Sequence, residues 1–318
     1  MQGLGCGCAT KIIVLFLILL LGLLGMGLVA GPLGATFFGT EPMGILSVST
    51  PHVELPAEGV FDIAGFSITN TLIASWLTII VLVGGFYICT RKMKLIPRRL
   101  QNLAEMAVEA LLNFVEGVAG KKHGRLLFPA VATIFIYVLA NAYMALLPLF
   151  GTIGIIGHEG HFVPLFRAAN TDINVPLSIA IMSFIFVESW GMKSLGAFRY
   201  IGEFINVGQI GEGIKQLFRG KIRPALSNVA FGFINLFVGL LEVFSHLIRM
   251  VSFTFRLFGN MTAGEILLLV VVSLIPLVAV IPFYGLELLI GFIQALIFAG
   301  LTLVFGIIAV APMHEETE

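Results

Sequence analysis

Charge is what this sequence has least of. Only 11% of its 318 residues are Asp, Glu, Lys or Arg, against about 25% in an ordinary soluble domain. Hydrophobic residues make up 58% of the chain, and the mean hydropathy is +1.04. A chain so poor in charge is an integral membrane protein, and its long apolar runs mark helices rather than a barrel. The 18 basic and 18 acidic residues cancel, so no global field directs the chain to nucleic acid. Cysteine is scarce as well. Cys6, Cys8 and Cys89 make no disulfide framework. Cys6 and Cys8 form a C-x-C, but no other Cys or His pair completes a metal-ligand set. "GHEGH" places His158 and His161 three apart, not the four apart of a zinc-protease helix, so they read as loop residues. No repeat of 20–50 residues, no low-complexity tract and no soluble catalytic module is present.

What is there is a series of apolar stretches: Ile12–Ala30, Thr71–Thr90, Leu126–Phe150, Asn174–Gly191, Ala225–Ile275 and Leu277–Ala311. About 20 residues suffice for one perpendicular span. The fifth stretch is far longer, so it must tilt strongly or run partly along the membrane. Pro276 and Pro282 break the chain between the last two stretches, which reads as a hairpin of long helices. The expected fold is an all-α polytopic membrane protein. It has five core transmembrane helices including a long tilted C-terminal hairpin, an interfacial amphipathic helix and an N-terminal hydrophobic segment. The expected divisions are 1–31, a signal peptide or a membrane anchor, with both readings open; 32–70, an extracytoplasmic segment; and 71–318, one membrane domain.

Basic residues are missing from particular places, and that sets the orientation. Gly31–Asn70 has none, and Gly151–Thr171 has only Arg167. Eight lie between Arg91 and Arg125, and six between Lys193 and Arg223. The basic loops and "MHEETE" at the C-terminus should face the cytoplasm, and the others the outside. "RRLQNLAEMAVEALLNFVEGVAG" puts Leu103, Met106, Ala107, Ala110, Leu111, Phe114 and Val118 at helical spacing, as an amphipathic helix at the interface would. "FRYIGEFINVGQIGEGIKQLFRGKIRP" is a Gly-punctuated connector.

The few polar residues inside the spans are the candidate functional groups, because an ion in hydrocarbon costs several kcal/mol. On the fifth stretch Glu242, Arg249 and Arg256 are seven apart and stack near one line, with Ser245, His246, Ser252 and Asn260 close to it. Glu242 and Arg249 can form a structural ion pair, and His246 can be a packing residue or a proton carrier. Glu265 is nine residues beyond Arg256, on the opposite face. The two cannot pair within one straight helix, and Arg256 has no acid within four residues. The last stretch carries Glu287 and Gln294 on one face, beside a small-residue stripe of Gly291, Ala295, Ala299 and Gly306. Such a stripe admits a second helix closely. Asp172 stands at the outer mouth of the fourth stretch, as a helix cap or a path residue, and Glu188 near its inner end.

"RLFGNMTAGE" closely resembles the signature of subunit a of F-type ATP synthases. The resemblance extends through "PRRLQNLAEM", "NTDINVPLSIAI" and "LIGFIQALIFAGLTLVF", over roughly Thr71 to Val310. It implies a proton-translocating stator subunit, not an enzyme by itself and without a cofactor, in a bacterial inner membrane. The implied partners are the c-ring, the subunit b stalk and the rest of the complex. Arg256 then falls on the essential arginine facing the ring. Asn260, Glu265 and Gln294 fall on polar path positions, and Glu242, Ser245, Arg249 and Ser252 on the cytoplasmic side. Glu287 stands where some relatives have His, so Glu265 and Glu287 would share the outer half-channel as coupled carboxylates, with Asp172 nearby. Proton is the default ion, because sodium selectivity rests on rotor ligands. The alternatives are a self-contained secondary transporter or channel that binds an anionic substrate at Arg256, and a structural membrane scaffold. No inverted repeat or pair of broken helices favours the transporter.

Overall fold

A computed structural model describes residues 5–39, 57–63, 65–94, 99–147, 150, 152–156, 162–196, 200, 202, 211, 215, 222–276 and 278–310. Seven α-helices are described: α1 (Gly5–Ala30), α2 (Pro32–Phe38), α3 (Asn70–Thr90), α4 (Arg99–Ala145), α5 (Asn174–Leu195), α6 (Ile222–Leu274) and α7 (Ile281–Val310). Six of them are long and apolar enough to cross a membrane. The all-α polytopic class is therefore observed, with six spans where six apolar stretches stand in the sequence.

Two short antiparallel hairpins were not expected from the pattern. β1 (Gly59–Ile63) pairs with β2 (Phe66–Thr69), and β3 (Gly154–Ile156) pairs with β4 (Phe162–Pro164). Strands of three to five residues are too short to show a clear two-residue alternation. Gly65, at φ 84°, makes the tight turn of the first hairpin.

The amphipathic segment and the third span are consecutive in α4, and the break between them is at Gly120, with φ 72° and ψ 161°. Only glycine takes that conformation without strain, so a helix of 47 residues is in effect two. Leu100, Leu103, Met106 and Val118 before the break are exposed, as an interfacial helix requires. The fifth span has no such break. α6 is continuous over 53 residues, about 80 Å at a rise of about 1.5 Å per residue. That is well over twice the roughly 30 Å hydrocarbon thickness. The connector before it lies, except for Tyr200, Gly202, Gly211, Lys215 and the residues from 222 on, outside the described residues. So do His158, His161 and the C-terminal "MHEETE".

The chain forms two compact units. The first comprises Met1–Ala74, Asn141–Asp172 and Gly259–Ile293. Here Gly27 of α1 and Gly31 just after it meet the chain at Leu274–Pro276, and a Cβ at Gly31 would lie 2.7 Å from the Leu274 carbonyl oxygen. Gly291 likewise approaches Ala142, with 2.9 Å between its virtual Cβ and the alanine methyl. The second unit comprises Ser75–Ala140, Ile173–Phe258 and Gln294–Glu318. Its core holds Leu127, Val131, Val138, Leu257 and Leu303, all fully or almost fully buried. Gly306 seats Leu127, 3.0 Å from the virtual Cβ. Ala295 and Ala299 are buried on the same stripe. The expected small-residue stripe is thus a close-packing face. Ser183 and Thr302 join α5 to α7 by a buried 2.7 Å hydrogen bond, and Phe253 packs on Phe298 and Phe305. Bonds of the first kind contribute about 0.6 kcal/mol each within a bilayer.

Candidate functional site

In the first unit two of the acidic candidates, Glu265 and Glu287, line one cavity. It measures about 160 Å³ and is lined by Arg167, Glu265, Glu287, Tyr284, Met261 and Phe166, among others. Glu265 is placed by α6 and Glu287 by α7. The loop after β4 brings in Arg167. Its Nε donates to both oxygens of Glu265, at 3.2 and 3.3 Å. The Arg167 side chain is only 10% exposed and that of Glu265 28%, so the pair is half-sheltered from water. Glu287 is buried, at 6% exposure. It faces Gly264, whose backbone leaves the space its carboxylate occupies; a Cβ there would collide with the carboxyl group.

The Asp172 side chain does not cap α5. α5 has no side-chain cap, and the Asp172 carboxylate instead accepts a 3.0 Å hydrogen bond from the Thr71 hydroxyl. The threonine reaches it because Asn70 and Thr71 are themselves fully buried at the start of α3, where Asn70 donates to the Pro164 carbonyl. The amides of Asn141 and Asn170 are buried in this unit without a side-chain hydrogen-bond partner among the described residues. Asn260 is exposed on α6.

In the second unit α6 carries Glu242, Ser245, His246, Arg249, Ser252 and Arg256. Ser245 and Ser252 are exposed, whereas Glu242, His246, Arg249 and Arg256 are half-buried. The expected Glu242–Arg249 ion pair is not formed. Two helical turns separate the residues by about 10 Å along the axis. The Arg249 guanidinium instead lies flat over the Phe305 ring, 3.3 Å from its centroid, a cation–π contact. His246 Nδ1 lies 2.7 Å from Glu188 Oε1, so the histidine is not a bare packing residue. Gln294 is buried at 3% exposure. Arg256 donates weakly to Ser252, four residues before it, at 3.5 Å. Its own unit offers it no carboxylate within ion-pair distance among the described residues.

Arg167 and Gly264 were missed as site residues by sequence reasoning. Arg167 did leave a signal, as the only Lys or Arg between Gly151 and Thr171. Gly264 lies within "RLFGNMTAGE" itself, but nothing in the sequence says which side chain will fill the space above it. Among the described residues no group of three His, Cys, Asp or Glu side chains could hold a metal ion.

Six helices long and apolar enough to cross a membrane, with ionisable side chains buried or half-buried among them, define a polytopic membrane protein. The comparisons narrow this. The family described as ATP synthase A chain matches residues 72–306. A relative named ATP synthase subunit a, from Moorella thermoacetica, is 28% identical over 254 residues, 80% of this chain and 95% of the relative. Proteins of the same name from Campylobacter jejuni subsp. doylei and Campylobacter curvus are each 33% identical, over 68% and 73% of this chain and 79% and 86% of their own. The chain belongs to the ATP synthase A chain family, as a non-catalytic subunit of the membrane sector.

Proposed function

We propose that the chain forms two offset proton half-channels against the c-ring, with Arg256 between them. Glu265, Glu287 and Asp172 serve the outer half, which opens away from the cytoplasm. Glu242, Ser245, His246 and Ser252 serve the inner one, and Asn260 and Gln294 are polar way-stations near the arginine. The subunit b stalk holds the chain still while the ring turns, in a bacterial inner membrane, with the C-terminus in the cytoplasm.

A rotor carboxylate crosses lipid only when neutral, since the ionised form is too costly there. At the stator it must give its proton to one side and take another from the other. A fixed guanidinium favours the ionised carboxylate at the moment of exchange, and it opposes a proton passing straight from one half-channel to the other. Arginine suits the place because it keeps its charge when partly desolvated. The drive is about 2.3 kcal/mol per charge per 100 mV.

The observation that carries this reading is Arg256 itself. It sits in "RLFGNMTAGE" on an apolar helix, and among the described residues its own unit places no carboxylate within ion-pair distance. On this reading the partner of the half-buried Arg256 is a carboxylate of the c-ring. The grouping of Glu265, Glu287 and Arg167 around one cavity supports a polar outer path, as do the buried amides of Asn141 and Asn170, which have no hydrogen-bond partner among the described residues and could be satisfied by water.

Arg256→Ala tests it. The complex should assemble, ATP-driven proton pumping should be lost, and the membrane sector should leak protons. Arg256→Lys keeps the charge but not the planar fork, and coupling should still fail. Normal assembly with normal coupled pumping in Arg256→Ala would rule the gate out.

A further inference from the structure

Glu188 has no part in the path described above, yet it is an ionisable side chain on an apolar helix and both its oxygens are engaged. His246 Nδ1 lies 2.7 Å from Oε1, and the Tyr200 hydroxyl donates to Oε2 at 2.7 Å. The side chains of His246 and Glu188 are only 14% and 15% exposed. Phe184 packs edge-on to the imidazole, with centroids 6.1 Å apart. Gly191, one turn along α5 from Glu188, makes room for the tyrosine: a Cβ there would lie 2.7 Å from Tyr200 Cε2. α5 and Tyr200 thus hold a carboxylate against the Nδ1 edge of the imidazole.

We infer that Glu188, His246 and Tyr200 form a proton relay on the inner half-channel, in which Glu188 both positions the imidazole and exchanges a proton with it. This rests on the reading that the α6 residues around His246 carry the inner path. In the step, imidazolium and carboxylate become imidazole and carboxylic acid. The N–H bond at Nδ1 breaks and the O–H bond at Oε1 forms. The proton then leaves Oε1 for water on the cytoplasmic side, and the reverse sequence runs during synthesis. The Tyr200 hydrogen bond to Oε2 leaves Oε1 aimed at the ring throughout. Among the described residues, Arg249 on α6 acts on Glu188, Glu242 on α6 acts in turn on Arg249, and Tyr200 lies beside Glu188; α7 from Gln294 to Val310 carries no titratable group.

A bare structural role explains the arrangement poorly. A buried ion pair contributes little more than a well-packed apolar pair of the same volume, while an intramembrane carboxylate costs several kcal/mol.

The test uses the complete ATP synthase complex in inside-out vesicles, where the medium sets the pH of the cytoplasmic face. Glu188→Gln keeps the shape and can hydrogen-bond both neighbours, but holds no exchangeable carboxyl proton. ATP-driven pumping should fall by about tenfold, at the low end of what a positioned acid or base contributes. Its dependence on medium pH between about 6 and 8, the range in which histidine titrates, should flatten. Glu188→Asp should restore part of both. The double variant Glu188→Leu, His246→Leu packs without ions, and should assemble and pump as slowly as Glu188→Gln. The relay is overturned by wild-type pumping in Glu188→Gln or in the double variant. It is equally overturned by a slower rate with an unchanged pH profile, or by failure of every variant to assemble, either of which marks a structural pair. A dead Arg256→Ala beside a normal Glu188→Gln sinks the relay alone, whereas a normal Arg256→Ala sinks the half-channel reading beneath it.

Discussion

The Arg167–Glu265 pair permits a quantitative prediction, because its geometry and shelter are both defined. At 3.2 Å the gross attraction between two unit charges is about 5 kcal/mol at an effective dielectric of about 20. Desolvation offsets much of this. Breaking a fully buried pair costs about 3–5 kcal/mol, and an exposed pair is worth about 0.2–1. With side chains 10% and 28% exposed, Arg167→Gln should cost about 2 kcal/mol, between these limits. Most of that loss is the stranded Glu265 carboxylate. For a chain of this size the midpoint for thermal release of the subunit from the purified complex should fall by roughly 5 °C. Glu265→Gln strands the guanidinium and should cost a similar amount. The double variant leaves neither charge alone, so its loss should fall short of the sum of the single losses by about 1–2 kcal/mol. Single losses that add to within about 0.3 kcal/mol would show that the two side chains do not interact in the assembled complex, and would refute the reasoning.

Two further predictions follow from the site and the charge pattern. Glu265→Gln and Glu287→Gln should each slow proton uptake from the outer side, and the double change should be less than additive, because both carboxyls line one cavity; strictly additive losses in vesicle uptake assays would separate the two groups. Single cysteines placed at Lys121 and Lys221 should resist an impermeant thiol reagent in intact cells and react in inside-out vesicles, as the Lys/Arg count requires; labelling of either from outside would invert the topology.

The helical class was legible because apolar runs of about 20 residues have few alternatives in a bilayer. The kinship was legible because "RLFGNMTAGE" is specific. The small-residue stripe of α7 could be read as a packing face, since Gly291, Ala295, Ala299 and Gly306 share one side of a helix at its known period. Boundaries were less legible. The third span stops at Ala145 rather than Phe150, where Pro148 follows in the sequence and cannot continue an i→i−4 ladder. The Glu242–Arg249 pairing failed for a geometric reason. Sharing a helix face is not contact, and a neighbouring aromatic ring from α7 claimed the guanidinium.

The sequence by itself determined that this chain lives in a membrane, where its helices run, which family it joins, and which few polar residues need explaining. These depend on hydropathy and motif, which are properties of contiguous residues. Tertiary structure decided the partners. Arg167 reaches Glu265 across 98 residues of chain, and His246 reaches Glu188 across 58. No periodicity along one helix specifies which face of another will meet it. That choice is made by close packing at small residues and by the cost of leaving a buried ion alone, and both are summed only when the helices are together.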